Sequence, residues 1–134
     1  MVNVLDILGD KWSLVVVRDI FRGKKSFGEF LNSPEKISTS VLTSRLRQLE
    51  YAGIAQHVLS KKDKKVKHYY LTDKGIDLFP IFYEMVYWSK RNLNKPFNDI
   101  SMDWFSKYDK FTPSFTAKEN KENYKGIRTE ILHF

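Results

Sequence analysis

The stretch ISTSVLTSRLRQLEYAGI, residues 37–54, carries two patterns at once. Wound as a helix at about 100° per residue, Val41, Leu42, Leu46 and Leu49 fall on one side, with Arg45 at its margin. Ser40, Thr43, Ser44 and Arg47 gather on the opposite side, flanked by Gln48. Ser38 suits an N-cap and Gly53 the C′ position, so the spacing predicts a helix between them. Ser and Thr are mediocre helix formers, and a merely solvated face more often carries Glu and Lys. The polar face therefore calls for an explanation.

Upstream, SFGEF (26–30) has a capping-box pattern, in which Ser26 accepts from the Glu29 amide while the Glu29 carboxylate reaches back. Phe27, Phe30 and Leu31 make the apolar side of a short helix that Pro34 ends. The brief PEKI connection then leads into the helix at 38, which is a helix-turn-helix reading. Before it, Asp10 caps KWSLVVVRDIFRG, a helix ending at Gly23, although its LVVV run has strand propensity. VLDIL (4–8) forms the end of a first short helix stopped by Gly9.

Downstream of Gly53 the hydrophobic period changes to two. IAQHVLS (54–60) and VKHYYLT (66–72) bracket KKDKK, which reads as a hairpin with a flexible lysine tip. Thr72 caps a long helix over 73–93, kinked at Pro80, with Ile76, Phe79, Phe82, Met85, Val86 and Leu93 on a broad apolar face. Ile100, Trp104, Tyr108 and Phe111 recur at helical spacing and predict one more amphipathic helix. TAKENKENYKG reads as a mobile loop, and IRTEILHF as an apolar segment with no assigned place. The fold class is mainly α with a small β-hairpin: a winged helix-turn-helix with N- and C-terminal dimerisation helices. Residues 1–93 form the winged-helix domain, including a dimerisation helix at 73–93. Residues 94–134 are a helical extension, part of the same domain or of a dimer interface.

The chain's 134 residues fit one domain, and 42% hydrophobic with 15% aromatic residues argue for a packed core. There is no cysteine, which excludes disulfides, thiolate metal sites and cysteine nucleophiles. The start of the chain lacks a signal-peptide pattern, and its most apolar window, LFPIFYEMVYW, is too short to span a bilayer. The expectation is a cytoplasmic protein with no membrane partner. No HExxH, glycine-rich phosphate loop or GxSxG pattern is present, so no enzyme and no cofactor is expected. His57 and His68 lie in the two predicted strands and could face each other, but two histidines without a carboxylate cluster make a poor metal site.

The net charge of +7 is unevenly placed. Residues 36–74 hold nine basic against three acidic side chains, whereas 1–35 balance and 75–134 nearly do. Such a segment suits a polyanion, whose condensed counterions are released on binding, though charge alone would equally serve solubility. Motif order separates the two readings. A major groove ~12 Å wide admits a helix with short hydroxyls and an arginine able to donate bidentately to guanine. The candidate double-stranded DNA contacts are Ser38, Thr39, Ser40, Thr43, Ser44 and Arg47 on the helix, and Lys61, Lys62, Lys64 and Lys65 on the wing. Arg45, toward the core side, is better suited to pairing with an acid on a neighbouring helix. Phe79, Phe82, Met85, Val86 and Trp88 give the 73–93 helix more apolar surface than a small domain needs, which suggests a homodimer interface. The rival reading is a winged-helix protein-interaction module that uses the aromatic C-terminal extension.

ILGDKWSLVVVRDIFRGKKSFGEFL, ISTSVLTSRLRQLEYAGI, the hairpin ending in YYLTDKG and LFPIFYEMVYW together resemble the HxlR-type winged-helix transcriptional regulators, relatives of the MarR group. The resemblance covers about residues 4–93. It implies a homodimer on an inverted-repeat operator, a recognition helix over about 38–52, terminal helices at the dimer interface and, most simply, repression by operator occlusion. Many members of that family sense oxidants through a cysteine near the N-terminus; here any effector must work without thiol chemistry. The chain also runs about 40 residues past the family's usual end. That tail would extend the dimer interface, cover a ligand pocket or dock a partner, the first being the plainest expectation.

Overall fold

The computed structural model describes residues 2–133. In chain order the elements are α1 (Val2–Leu8), α2 (Lys11–Phe21), α3 (Phe27–Leu31), α4 (Thr39–Tyr51), β1 (Ala55–Leu59), β2 (Lys67–Leu71), α5 (Asp73–Ile76), α6 (Phe79–Asn92), α7 (Asp99–Tyr108) and α8 (Pro113–His133). The two strands pair antiparallel as a hairpin, and the fold is mainly helical around it.

Local chemistry starts each element of the helix-turn-helix. Asp10 caps α2 by accepting from the amides of Trp12 and Ser13. Ser26 and Glu29 form the complete capping box of α3, and Ser38 caps α4 through the Val41 amide. Gly53 follows α4 at φ 74°, a left-handed turn open to glycine at no steric cost. The valine run of α2 is helical in spite of its strand propensity. Val15, Val16 and Val17 are all buried there, so packing on several sides overrides local preference. Leu42, Leu46 and Leu49 hold α4 onto this core together with Phe30, Ile37, Ile54 and Leu71.

Pro80 does not kink one long helix. The chain stops at Ile76 and restarts at Phe79, with Pro80 in the first turn of α6, where its missing N–H would have had no helical partner anyway. The break redirects the apolar face. Phe79, predicted at a dimer interface, is a core residue, packed edge-to-face on Phe21 at 5.8 Å between ring centroids. Phe82 meets the same ring at 6.0 Å and is half-buried. Met85 and Trp88 stay exposed, joined by Ile81 at i, i+4, i+7 spacing, while Val86 turns to a cavity beside α7.

The polar segment read as a mobile loop is instead the middle of α8. Thr112 accepts from the Phe115 amide at its start, and Thr116, Tyr124 and Ile131 bury a sparse stripe along it. The helix folds back onto the winged-helix body. The Tyr124 hydroxyl accepts the Leu71 amide at 2.8 Å, and Arg128 donates to the Leu71 carbonyl at 3.2 Å. At Leu71 the outer edge of β2 is thus closed by two side chains of one helix, while the Tyr69 amide donates to the Lys25 carbonyl at 2.7 Å. Burial pushes the Tyr124 phenol up to about 12, which keeps it neutral beside that strand. Tyr124→Phe leaves a buried amide without an acceptor and should lower the unfolding free energy by about 1–3 kcal/mol in urea titration. A loss under about 0.5 kcal/mol, a lower bound for one net hydrogen bond, would show that Leu71 finds another partner.

Most aromatic rings of the tail pack within the chain. Phe105 and Tyr108 are buried, and Trp104 lies among Tyr83, Tyr87 and Tyr108 with centroids 5.0–6.1 Å apart. Phe111 and Phe115 remain exposed. Among the described residues, no helix is long and apolar enough to cross a membrane.

Candidate nucleic-acid interface

The polar face of α4 is divided by its own hydrogen bonds. Ser38, Thr39, Ser40 and Arg47 are exposed, while Thr43 and Ser44 are half-buried. Thr43 donates its hydroxyl hydrogen to the Thr39 carbonyl at 2.8 Å. It therefore offers only lone pairs and a methyl group, suited to an exocyclic base amine or a thymine methyl but not to a phosphate. Ser44 accepts from Arg45 at 3.2 Å and keeps its own hydrogen to donate. Arg47 makes no ion pair among the described residues, and its five donors are available.

Arg45 pairs as its position on the wheel suggested. Its Nε lies 2.9 Å from the Asp10 carboxylate, the same group that caps α2. Burial works against ionisation of Asp10, yet the hydrogen bonds from Ser13 and then Arg45 hold its carboxyl below the usual range. One carboxylate therefore fixes the start of α2 and the flank of α4 together.

A second network, absent from the sequence reading, ties α2 to the turn before α4. Arg18 grips Glu35 with two hydrogen bonds, at 2.6 and 2.9 Å, and also reaches Asp19 at 2.8 Å. Asp19 is buried at 1% exposure and further accepts from Ser33, with the Lys24 ammonium 3.5 Å away. The Arg18 fork holds the Glu35 carboxyl down to about 2, although burial opposes this. Lys36 follows at φ 59°, a left-handed conformation that a non-glycine residue adopts at some cost. Braced on both sides, this turn sets where Ser38 begins the helix.

The hairpin tip carries hydrogen bonds of its own. Ser60, buried at 9%, accepts from the amides of Lys62 and Asp63, and Asp63 accepts from the Lys65 amide at 3.0 Å. Lys62, Lys64 and Lys65 project from this tip into solvent. Lys61 is exposed too, but its ammonium is hydrogen-bonded to the His133 carbonyl at 3.2 Å, near the end of α8. A cation there also suits the negative end of the helix dipole. The histidines do not face each other: the register pairs His57 with Tyr69 and Val58 with His68. His57 lies 3.0 Å from Glu50 of α4, so it links wing to helix. Among the described residues no three potential ligand side chains gather as a metal site.

A capped helix with a polar outer face, a braced turn before it and a basic hairpin after it define a winged helix-turn-helix. The HxlR-like helix-turn-helix family model matches residues 7–97, and the chain belongs to that family of transcriptional regulators, which are not enzymes. Over 83 residues it is 36% identical to the uncharacterized HTH-type transcriptional regulator sll1512 of Synechocystis sp., covering 62% of this chain and 62% of that protein. YdeP of Bacillus subtilis, another uncharacterized HTH-type transcriptional regulator, is 34% identical over 89 residues, or 66% of this chain and 70% of YdeP. The chain thus spans under two thirds of the length of the cyanobacterial relative. Among solved structures, the redox regulator HypR in its reduced form superposes with a TM-score of 0.61 at 34% identity, covering 68% of this chain and 90% of HypR. The reduced transcriptional regulator YodB from B. subtilis gives 0.60 at 29% identity, over 70% and 92% of the two chains.

Proposed function

We propose that the protein is a dimeric, sequence-specific transcriptional regulator acting on double-stranded DNA in the cytoplasm, a repressor by operator occlusion. The observation that carries this reading is the outer face of α4, where Arg47 and Ser40 stand exposed on a helix capped by Ser38 and held along its flank by the Arg45–Asp10 pair. In the proposed complex α4 enters the major groove. Arg47 donates to a guanine edge, Thr43 presents its methyl and lone pairs to bases, and Ser38, Thr39, Ser40 and Ser44 reach phosphates or base edges. Lys61, Lys62, Lys64 and Lys65 meet the backbone from the wing.

The proposed dimer surface is the exposed stripe Ile81, Met85 and Trp88 of α6, with Val4 and Leu5 of α1 as further apolar surface. Phe82 and Val86 support that stripe from behind, and Phe79 anchors it to the core. A two-fold dimer places its recognition helices ~34–36 Å apart, in successive major grooves.

Arg47→Ala tests base reading directly. On the preferred site the substitution should cost about 1–3 kcal/mol and relax discrimination at one base pair in each half-site. Binding to random duplex should change far less. Equal losses on both, measured by fluorescence anisotropy, would reduce Arg47 to a phosphate contact and remove it from the reading face.

A further inference from the structure

Between α3, α4 and β2 a groove of about 240 Å³ opens beside the outer face of α4, with Phe27 and Leu46 as its apolar walls. The volume lies below the ~300–1,000 Å³ of small-molecule pockets, so the groove suits one chemical group and not a whole ligand. Tyr69 decides which group. It is 7% exposed, its ring packed on Phe30 and its amide donating to the Lys25 carbonyl. Its hydroxyl lies within reach of the charges of Glu50 and Arg47, both in the same lining, and makes no hydrogen bond among the described residues. Buried tyrosine hydroxyls ordinarily find a partner, so this one is a donor awaiting an acceptor. Burial, and then the Glu50 charge, push the phenol up, so it keeps its hydrogen at neutral pH. Thr43, also in the lining, has given its hydrogen to the Thr39 carbonyl. Lys67 and Arg47 line the groove too, exposed and without an ion pair among the described residues. The one acid in the lining, Glu50, lies 3.0 Å from Nδ1 of His57. Two cations therefore stand against one acid.

We propose that this groove seats one backbone phosphate of the DNA, whose oxygens accept from the Tyr69 hydroxyl and the Lys67 ammonium. A charged acceptor makes a shorter and stronger hydrogen bond than a base edge does, and the excess of cations favours it further. The seat rests on the DNA-binding reading. With α4 in the major groove and the hairpin against the backbone, the strand that separates the two crosses the groove between them. Arg47 stays free for base edges, because Tyr69 and Lys67 supply the donors to the phosphate. Both residues stand on β2, away from the lysines of the hairpin tip, so they add a contact that the charge pattern of the tip does not announce.

Fluorescence anisotropy of the full chain on its preferred site and on random duplex tests the seat. Tyr69→Phe keeps the ring and removes the donor. Affinity should fall about tenfold on both duplexes, with the thermal midpoint and the salt slope unchanged. Lys67→Gln should lower the slope of log K against log salt by about 0.9. A methylphosphonate, which removes the charge of a single phosphate, locates the contact. At one position in each half-site it should weaken the unsubstituted protein about tenfold and Tyr69→Phe by less than about threefold. Full affinity in Tyr69→Phe, an unchanged slope in Lys67→Gln, or methylphosphonate losses equal in the two proteins at every position overturns the seat and leaves the DNA-binding reading standing. A loss in Tyr69→Phe confined to the preferred site also overturns it, since that assigns the hydroxyl to a base. No duplex binding by the unsubstituted protein overturns both.

Discussion

Asp19→Ala should destabilise the protein by about 3 kcal/mol or more, a large part of the 5–15 kcal/mol that holds a domain of this size folded. The carboxylate is buried at 1% exposure and receives Arg18 through Nε at 3.2 Å and Nη2 at 2.8 Å, together with Ser33 and Lys24. Removing it leaves the Lys24 ammonium and the Ser33 hydroxyl without this acceptor and Arg18 with only one of its two acids. Breaking a buried pair by deleting one partner typically costs about 3–5 kcal/mol, because the surviving charge loses both water and counter-charge. Two facts put the expectation at the lower end. Arg18 and Lys24 are about a quarter exposed, at 25% and 27%, and Arg18 keeps Glu35. Asp19→Asn keeps the shape and an acceptor and should cost less. Urea midpoints at constant m-value separate the two variants, and a loss below about 1 kcal/mol, the range of an exposed pair, for Asp19→Ala would mean that the network is solvated in practice.

The second large effect concerns the wing. Neutralising Lys61, Lys62, Lys64 and Lys65 together should reduce the slope of log K against log salt by up to ~3.6, at about 0.9 per phosphate contact on B-DNA. Between 50 and 200 mM salt those four contacts account for a fall of about 10²-fold in affinity, which the quadruple variant should lose. The loss should be uniform over preferred and random DNA, since backbone contacts carry no sequence information. Lys61 is expected to contribute least, because the His133 carbonyl already holds its ammonium. An unchanged slope would take the wing out of the DNA contact altogether. A slope reduced only on the preferred site would assign the lysines to base readout instead.

Much of the fold is legible along the chain because its signals are local. The caps at Asp10, Ser26 and Ser38 each act within three residues and start the predicted helices, while Thr72 caps only the short α5 where the spacing predicts one long helix. The switch to period two after Gly53 likewise marks the hairpin. What failed needed distant partners. Pro80 reads as a kink because apolar spacing continues across it, and only the packing of Phe79 and Phe82 on Phe21 shows that the helix restarts there. In α8 the run of Lys, Glu and Asn conceals a stripe of four-residue steps from Thr116 to Tyr124, whose partner is the edge of β2, some 50 residues earlier. The candidate site shows the same division. The outward residues of α4 follow from its wheel, as does the inward bias of Arg45 toward an acid. The spending of Thr43's hydrogen on its own helix and the Arg18–Glu35 fork depend on geometry that no spacing rule reports.

The central claim is that paired copies of α4 read one sequence twice. Selecting bound fragments from a random duplex pool with the purified full chain, then footprinting the enriched sites, tests it most directly. The predicted result is an inverted repeat whose half-site centres lie about 10–10.5 base pairs apart, or a multiple of that, with protection extending into the flanking backbone where the wings lie. A pool that enriches no sequence, or a single unrepeated half-site bound by one copy, would contradict it.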